Sequence, residues 1–197
     1  MTSISRSAVV VIAASAEGLD ALIRLMHQLP ARLPALIVGT VHGMDDMQLQ
    51  MLVRGRLASV GASCVPAAAE DVLLVPGQIL LLPASRGWGF TAWRTLGMSS
   101  EVNSKDPETG ADRLFESASR IHGSSVIGVI LSGRGRDGTR GMLAITEAGG
   151  IRIVQTPCEA THFGMPFHAL MHDHINHSVV LDDMGQLICK LVQAPVR

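Results

Sequence analysis

The chain has 197 residues, of which 47% are hydrophobic and 17% charged, and its formal net charge is -1. This length and composition predict a compact protein with a substantial core and exclude a disordered chain. The near-neutral charge offers no electrostatic footprint for nucleic acid, and apolar runs such as "VVVIAA" are too short to span a bilayer, so we expect neither nucleic-acid binding nor membrane insertion.

The cysteines and the N-terminal sequence indicate the compartment. Cys64, Cys158 and Cys189 are odd in number and widely spaced, which is typical of reduced thiols and not of a disulfide framework. The first residues, "MTSISRSAVVV", lack a basic stretch followed by an apolar segment and a cleavage site. We therefore expect a cytoplasmic protein.

Apolar runs of strand length alternate with segments of helical periodicity along the chain. In the first half, "AVVVIAA" precedes a helix ending at Pro30, "ALIVGTV" precedes a helix in "DDMQLQMLVRGRL", and "DVLLVPGQILLLP" predicts two strands joined by a tight turn at Pro76-Gly77. The second half alternates a helix over Ala111–Ile121, a strand "SVIGVIL", a helix in "TRGMLAITEAG", a strand "IRIVQ", a helix near "MPFHALMH", a strand "HSVVL" and a helix "MGQLICKLV". The pattern predicts an α/β fold: a doubly wound, mostly parallel sheet with helices on both faces, in a single domain.

The segment Ser85–Gly110 is the least regular part of the chain. It contains both tryptophans, Trp88 and Trp93, among several glycines. Two interpretations stay open for it, a hairpin arm packed on the core and a wall of a binding cleft.

Three polar residues follow three of the predicted strands. Ser15 follows "VVVIAA", His42 follows "ALIVGTV", and Asp137 follows "VIGVILSGRGR". The carboxyl ends of parallel strands meet at one edge of a sheet, where ligands bind. A serine, an imidazole and a carboxylate at that edge are the groups that an acyl-transfer hydrolase needs.

Each of these residues also has a purely structural interpretation. Ser15 can be a helix N-cap, His42 a loop histidine, and Asp137 a helix cap within "RDGTRG". The chain order Ser, His, Asp and the string "AASAE" do not match the order or the G-x-S-x-G elbow of an α/β-hydrolase. The string "GRGRDG", residues 133–138, can bring backbone N–H groups to an anion, but it is neither a P-loop nor a dinucleotide fingerprint.

Several strings, taken together, resemble the catalytic domain of the chemotaxis receptor methylesterases, the CheB family. "IAASAEG" is similar to the family's G-A-S-T-G-G segment, "VHGM" to Q-H-M, "VPGQILLLP" to P-G-x-x-x-x-A-P, "ILSGRGRDGTRGM" to I-L-T-G-M-G-x-D-G-x-x-G-M, and "IVQTPCEATHFGMPFHA" to a hallmark ending in F-G-M-P. The resemblance runs from about Ala8 to about Val192. It implies that residues 1–197 form one methylesterase catalytic domain.

The resemblance implies a role for each site residue. Ser15 would be the nucleophile, His42 the general base and Asp137 the orienting acid. The backbone N–H of Arg134 would donate to the oxyanion, with Ala16, Gly133 and Gly135 completing the oxyanion and substrate-binding site.

The chain departs from the family pattern at several positions. Ala16 replaces a threonine, Glu17 a glycine and Arg134 a methionine; Gly87 replaces a frequent histidine, and a Pro-Ser-Val-Asp string survives only as "TGAD", Thr109–Asp112. A carboxylate at position 17 opposes a developing oxyanion, although the Arg134 cation can offset it.

The resemblance also implies partners and regulation. The substrate would be the methylated glutamates in the cytoplasmic helical region of chemoreceptors, with glutamine deamidation as an open question. No metal or other cofactor is expected, and we expect a monomer. The first seven residues cannot stand in for the phosphorylatable receiver domain that precedes this domain in the family, so the chain is either a single-domain member or a fragment and should lack that control.

Two further interpretations compete with the hydrolase. His168 and His172 have the i, i+4 spacing of a metal-ligand pair, but no H-E-x-x-H motif accompanies them, so a solvated polar cluster is favoured. The changes at Ala16 and Glu17 leave open a catalytically weak relative that acts as a binding module; nucleotide binding is weakly supported.

Overall fold

The structure is a computed structural model that describes residues 7–65, 69–98 and 109–193. The strands within these segments are β1 Ala8–Ser15, β2 Ala35–His42, β3 Ala62–Cys64, β4 Asp71–Leu73, β5 Ile79–Pro83, β6 Trp88–Ala92, β7 Thr95–Met98, β8 Val126–Ile130, β9 Ile151–Gln155 and β10 His177–Val179. The helices are α1 Leu19–Gln28, α2 Asp46–Leu52, α3 Gly110–His122, α4 Thr139–Glu147, α5 Gly164–His172 and α6 Leu181–Gln193. None of the helices in these segments is long and apolar enough to cross a bilayer.

Seven strands form a parallel sheet in the order β10-β9-β8-β1-β2-β5-β3. The chain leaves the central strand β1 toward β2 on one side, and later returns to β8 on the other side. The β1/β8 boundary is therefore the topological switch point, where doubly wound sheets bind their ligands. The prediction of a doubly wound, mostly parallel sheet is confirmed.

Side chains of β1 alternate between two hydrophobic layers, because successive residues of a strand point to opposite faces. Val10 and Ile12 pack with α1, α2 and α6, whereas Val9, Val11 and Ala13 pack with α3, α4 and α5. Helices thus cover both faces, which explains why the strands are continuously apolar.

The predicted pair of strands in "DVLLVPGQILLLP" forms, but the two strands do not pair with each other. A turn in which the Gln78 N–H donates to the Val75 carbonyl at 3.0 Å separates them. β5 then joins the parallel sheet, while β4 pairs with β7 in a separate antiparallel sheet of order β4-β7-β6. Leu80 and Leu82 of β5 are buried where β5 pairs with β2. Burial of these side chains explains why β5 joins the parallel sheet and does not pair with β4.

The irregular segment Ser85–Gly110 contains a hairpin, β6 and β7, that packs on the core. Trp88, Phe90 and Leu96 are buried in the layer that contains α3, and the backbone N–H of Phe90 donates to Ser117 Oγ at 2.9 Å. Of the two interpretations, the hairpin arm is observed for residues 88–98. Residues 99–108 lie outside the described part of the chain.

Candidate active site

Ser15 and His42 end neighbouring strands at the same register position, since Ser15 pairs with His42 in the β1/β2 ladder. Register partners point to the same face of a sheet, and neighbouring strands lie about 4.8 Å apart. Both residues share their face with Val11 and Ala13, which is the face that α3 and α4 cover. The two side chains therefore project together at the carboxyl edge of the sheet.

Ser15 also caps the helix that follows it. Its Oγ accepts a hydrogen bond from the Gly18 N–H at 3.3 Å, within the 3₁₀ turn Ala16–Gly18 that leads into α1. Its backbone is in the extended region, with φ of -104° and ψ of 164°, and is free of the strain of a nucleophile elbow. The cap interpretation is therefore correct, and it leaves the hydroxyl hydrogen of Ser15 free to be donated.

Asp137 lies in the loop between β8 and α4, and its carboxylate reaches the start of α3. Its Oδ2 accepts from the Ala111 N–H at 2.9 Å, and its Oδ1 accepts from the Asp112 N–H at 3.0 Å. The residue is thus a helix cap, but for α3 and not for the helix that follows it in "RDGTRG". Both oxygens keep further lone pairs with which to accept a hydrogen bond from an imidazole.

The Asp137 carboxyl is perturbed by its surroundings. Burial raises its pKa to about 6, and the nearby Asp112 carboxylate also raises it. The two backbone hydrogen bonds and the charge of His42 act in the opposite direction. The charge of His42 thus favours the ionised form of this carboxyl.

The loop after β8 lies directly over the nucleophile. The Ser15 N–H donates to the Ser132 carbonyl at 3.4 Å, and a Cβ at Gly133 would lie 3.2 Å from Ser15 Cβ while overlapping Met165 Sδ. Glycine is therefore required at position 133, beside the serine. A Cβ at Gly18 would likewise overlap the Ser132 carbonyl, so glycine allows the start of α1 to approach this loop.

The expected oxyanion residues differ in what their backbones can donate. The Gly133 N–H is occupied, since it donates to the His162 carbonyl at 2.8 Å. The Arg134 N–H makes no hydrogen bond to any described residue, and Arg134 and Gly135 are exposed. Ala16 opens the 3₁₀ turn and is half-buried. Of these two N–H groups, that of Arg134 is therefore open to a ligand, whereas Gly133 is required for its missing side chain.

Residues that the sequence analysis did not assign hold this loop in place. Gln155 Oε1 accepts from the Ser132 N–H at 2.8 Å, and the His162 N–H donates to Ser132 Oγ at 2.9 Å. The Met165 N–H donates to the Gly133 carbonyl at 2.9 Å. The string "IVQTPCEATHFGMPFHA" contains all three residues, but nothing in it indicates that they meet the "GRGRDG" segment.

Charges at the rim of the site are paired. Arg134 Nε lies 3.1 Å from Glu17 Oε2, and both side chains are substantially exposed. The suggestion that the Arg134 cation offsets Glu17 is therefore supported by a direct ion pair.

At Gly87, another departure from the family pattern, φ is +62°, and Arg113 Nη1 lies 2.5 Å from where a Cβ would be. The Arg113 guanidinium thus takes the space in which a family histidine side chain would begin.

The two histidines of α5 that have metal-ligand spacing lie beside each other on the helix. The His168 and His172 rings lie 5.9 Å apart, and His172 Nδ1 hydrogen-bonds to the His168 carbonyl at 2.8 Å. Across residues 7–65, 69–98 and 109–193, no group of three or more histidine, cysteine, aspartate or glutamate side chains is placed to hold a metal ion.

Fold and site define a doubly wound α/β protein with serine, histidine and aspartate gathered at the carboxyl edge of its sheet. The sequence profile described as CheB methylesterase matches residues 10–188. The chain therefore belongs to the CheB methylesterase family.

Individual relatives agree with this assignment. The chain is 34% identical over 168 residues to protein-glutamate methylesterase/protein-glutamine glutaminase 5 of Anaeromyxobacter dehalogenans, covering 82% of this chain and 45% of that protein. It is 31% identical over 194 residues to the Bordetella pertussis protein-glutamate methylesterase/protein-glutamine glutaminase, covering 93% and 53%. The chain thus spans about half the length of the curated relatives it matches.

A solved structure agrees over nearly its whole length. The crystal structure of the Thermotoga maritima CheB methylesterase catalytic domain superposes with a TM-score of 0.79 at 25% identity. The match covers 94% of this chain and 98% of that one.

Proposed function

We propose that this chain is a serine esterase that removes methyl groups from glutamate side chains of proteins, with Ser15, His42 and Asp137 as its triad. The observation that carries the proposal is the shared register of Ser15 and His42, with the Asp137 carboxylate buried on the same face. The relatives named protein-glutamate methylesterase favour this activity over a binding module.

The proposed reaction proceeds through an acyl-enzyme. His42 takes the proton of Ser15 as Oγ attacks the ester carbonyl, and the Arg134 N–H stabilises the oxyanion. The tetrahedral intermediate collapses, and methoxide leaves as methanol with the proton from His42. Water then attacks the acyl-enzyme while His42 takes its proton, and His42 passes that proton to Ser15 Oγ as the glutamate side chain leaves as its carboxylic acid, which ionises. Asp137 orients His42 and stabilises its cationic form throughout.

Deamidation of protein glutamine is a second candidate activity, because the names of the relatives include protein-glutamine glutaminase. The same acyl-enzyme forms from an amide, with ammonia leaving in place of methanol. Since an amine is the poorer leaving group, this reaction depends more on His42 as the general acid. Release of ammonia from a glutamine-containing receptor fragment tests it.

The substrate we propose is the cytoplasmic helical region of a chemoreceptor, reached in the cytoplasm as part of chemotactic signalling. We further propose that residues 1–197 act as one catalytic domain and as a monomer. The match to 98% of the Thermotoga maritima catalytic domain supports a single domain. The origin of all three triad residues within one chain supports action as a monomer.

The test is methanol release from a methylated receptor fragment by the parent protein and by Ser15→Ala. We expect loss of activity to near the uncatalysed level in Ser15→Ala. The matched control is Ser178→Ala, which removes an exposed hydroxyl from β10 at the far end of the sheet and should leave the rate unchanged. A fluorophosphonate probe should label the parent at Ser15 only. Equal methanol release by Ser15→Ala and the parent would show the triad assignment to be wrong.

A further inference from the structure

Two buried carboxylates next to the candidate active site, those of Asp137 and Asp112, cap the starts of α3 and α4. Asp137, in the loop before α4, accepts the N–H groups of Ala111 and Asp112 in the first turn of α3. Asp112, in α3, accepts the N–H of Gly141 in the first turn of α4 through Oδ1 at 2.9 Å. The start of α3 is therefore anchored by a side chain from the loop that leads into α4, and the start of α4 by a side chain from α3.

This exchange fixes where the Asp137 carboxylate lies. α3 and α4 approach each other closely beside this carboxylate. The approach leaves no room for a side chain at Gly141, where a Cβ would overlap Phe115 Cβ. The Asp112 side chain connects α3 to the first turn of α4, three residues beyond Gly138, and so limits movement of the loop that carries Asp137. His42 is on a different element, β2, so the distance between His42 and Asp137 depends on how this loop sits against α3.

We propose that Asp112 is a positioning residue of the site, which holds the Asp137 loop on α3 so that the Asp137 carboxylate is presented to His42. The proposal rests on the proposed function. Asp112 does not touch the reacting atoms; it acts through Asp137.

Asp112 also contributes a negative charge to this buried region. The charged and titratable groups that face it are Asp137 from the loop, Arg140 from α4 and Glu116 from its own helix; His42 from β2 faces Asp137. Arg140 Nε lies 3.3 Å from Asp112 Oδ2, but the Arg140 side chain is 62% exposed and therefore partly screened by solvent. Because the Asp112 carboxylate raises the pKa of Asp137, removing the charge of Asp112 should make Asp137 lose its proton at lower pH.

The experiment compares Asp112→Ala and Asp112→Asn with the parent. Methanol release gives kcat and KM between pH 5 and 9, and labelling of Ser15 by a fluorophosphonate probe is followed over the same range. The control is Glu116→Gln, which removes the other carboxylate partner of Arg140, at 3.5 Å, but no hydrogen bond to a backbone N–H of α4.

We expect Asp112→Ala to lower kcat by about tenfold to a hundredfold with KM unchanged, the scale of a misplaced catalytic group. Asp112→Asn keeps an acceptor for the Gly141 N–H and should retain most of kcat. The acidic limb of its pH profile, over which kcat rises with pH, should move to lower pH by about half a unit. Glu116→Gln should leave both kcat and the pH of the acidic limb unchanged. The rate at which the fluorophosphonate probe labels Ser15 in Asp112→Ala should fall together with kcat.

Several outcomes would overturn the proposal. If both Asp112 variants melt earlier but keep the parental kcat and pH profile, Asp112 is a helix cap and nothing more. A rise in KM at constant kcat would place its effect on substrate binding. If Asp112→Ala does not fold, an unshifted limb in Asp112→Asn decides against the proposal. Because labelling needs no receptor, a wrong substrate leaves the test intact; a parent that neither labels nor hydrolyses overturns the proposed function and this inference with it.

Discussion

Arg134 and Glu17 form an ion pair across the mouth of the site, with Arg134 Nε 3.1 Å from Glu17 Oε2. The pair connects the loop after β8 to the turn that follows the nucleophile. In the proposed reaction the Glu17 carboxylate opposes the developing oxyanion, and the Arg134 cation lies against that carboxylate.

Because the two charges offset each other, their substitutions should be non-additive. Arg134→Met keeps the backbone N–H but leaves Glu17 uncompensated, so kcat/KM should fall; Glu17→Gly leaves the cation alone, and kcat/KM should rise by up to about fivefold. The double variant should lie closer to the parent than Arg134→Met does. These exposed charges are screened by salt, so the differences should shrink at about 1 M salt. Additive effects of the two substitutions would show that the ion pair does not act on the reaction.

Restoring a hydroxyl beside the nucleophile tests a second departure from the family pattern. In the Glu17→Gly background, Ala16→Thr should raise kcat/KM further if this hydroxyl orients the substrate. The measurement uses one methylated receptor fragment at fixed salt. Unchanged or lower rates in both Glu17→Gly and the double change would indicate that the site is adapted to Glu17.

Asp137→Asn should reduce both turnover and stability. An asparagine in place of the orienting acid favours the wrong imidazole tautomer, and in a Ser-His-Asp hydrolase this change lowers kcat by about 10⁴. Both Asp137 oxygens accept backbone N–H groups of α3, and an amide can replace only one of them. Compared at about pH 4, where the parent carboxyl is also largely protonated and the cost of its buried charge does not enter, the unsatisfied N–H should lower the free energy of unfolding by about 1 to 2 kcal/mol. Kinetics and denaturant unfolding on the same preparation check both effects, and unchanged stability would contradict the capping role.

Activity and stability should respond to pH in opposite directions between about pH 4 and 6. Burial raises the pKa of Asp137 to about 6, above the ~3.9 of an unperturbed aspartate. The folded state therefore holds this proton more tightly than the unfolded chain, and the associated stability is lost as the pH rises through 6. Catalysis needs the ionised form, so kcat/KM should rise over the same range. Thermal melts over this pH range, made on the parent and on Asp137→Ala, isolate the part of the pH dependence of stability that Asp137 causes. That part should be absent in the variant.

Gly133→Ala should inactivate the protein by a steric route. The added methyl group would overlap Met165 Sδ and approach Ser15 Cβ to 3.2 Å, which should displace the loop or the nucleophile. Met165→Ala in the same chain should restore part of the activity by opening space. Gly55→Ala is the matched control, because no atom lies within 4 Å of a Cβ there and its φ is not positive. Equal losses at both positions would indicate that crowding beside Ser15 is not responsible.

The sheet and its strand-end residues were predictable because their signals are local. Continuous apolar runs such as β1 and β8 identify buried parallel strands, and Ser15 and His42 follow their strands directly. The exchange of caps between Asp112 and Asp137 was not predictable, since the partners are 25 residues apart and either carboxylate could have capped its own helix. The parting of β4 from β5 was missed for a similar reason: a turn sequence specifies a change of direction but not which sheet receives each strand. α6 begins at Leu181, three residues before the predicted start, because Asp182 and Asp183 favour the first turn of a helix.

The central position of β1 has a consequence for how the protein acquires activity. β1 pairs with β2 across a short stretch of chain, but its pairing of Val9 with Val126 closes a loop of more than a hundred residues. Pairings so distant in sequence form slowly, because the entropy of loop closure opposes them. In a refolding experiment, Ser15 and His42 should come together with the first half of the sheet, whereas the Asp137 carboxylate arrives only when β8 docks. Recovery of ester hydrolysis should therefore lag behind recovery of helical circular dichroism.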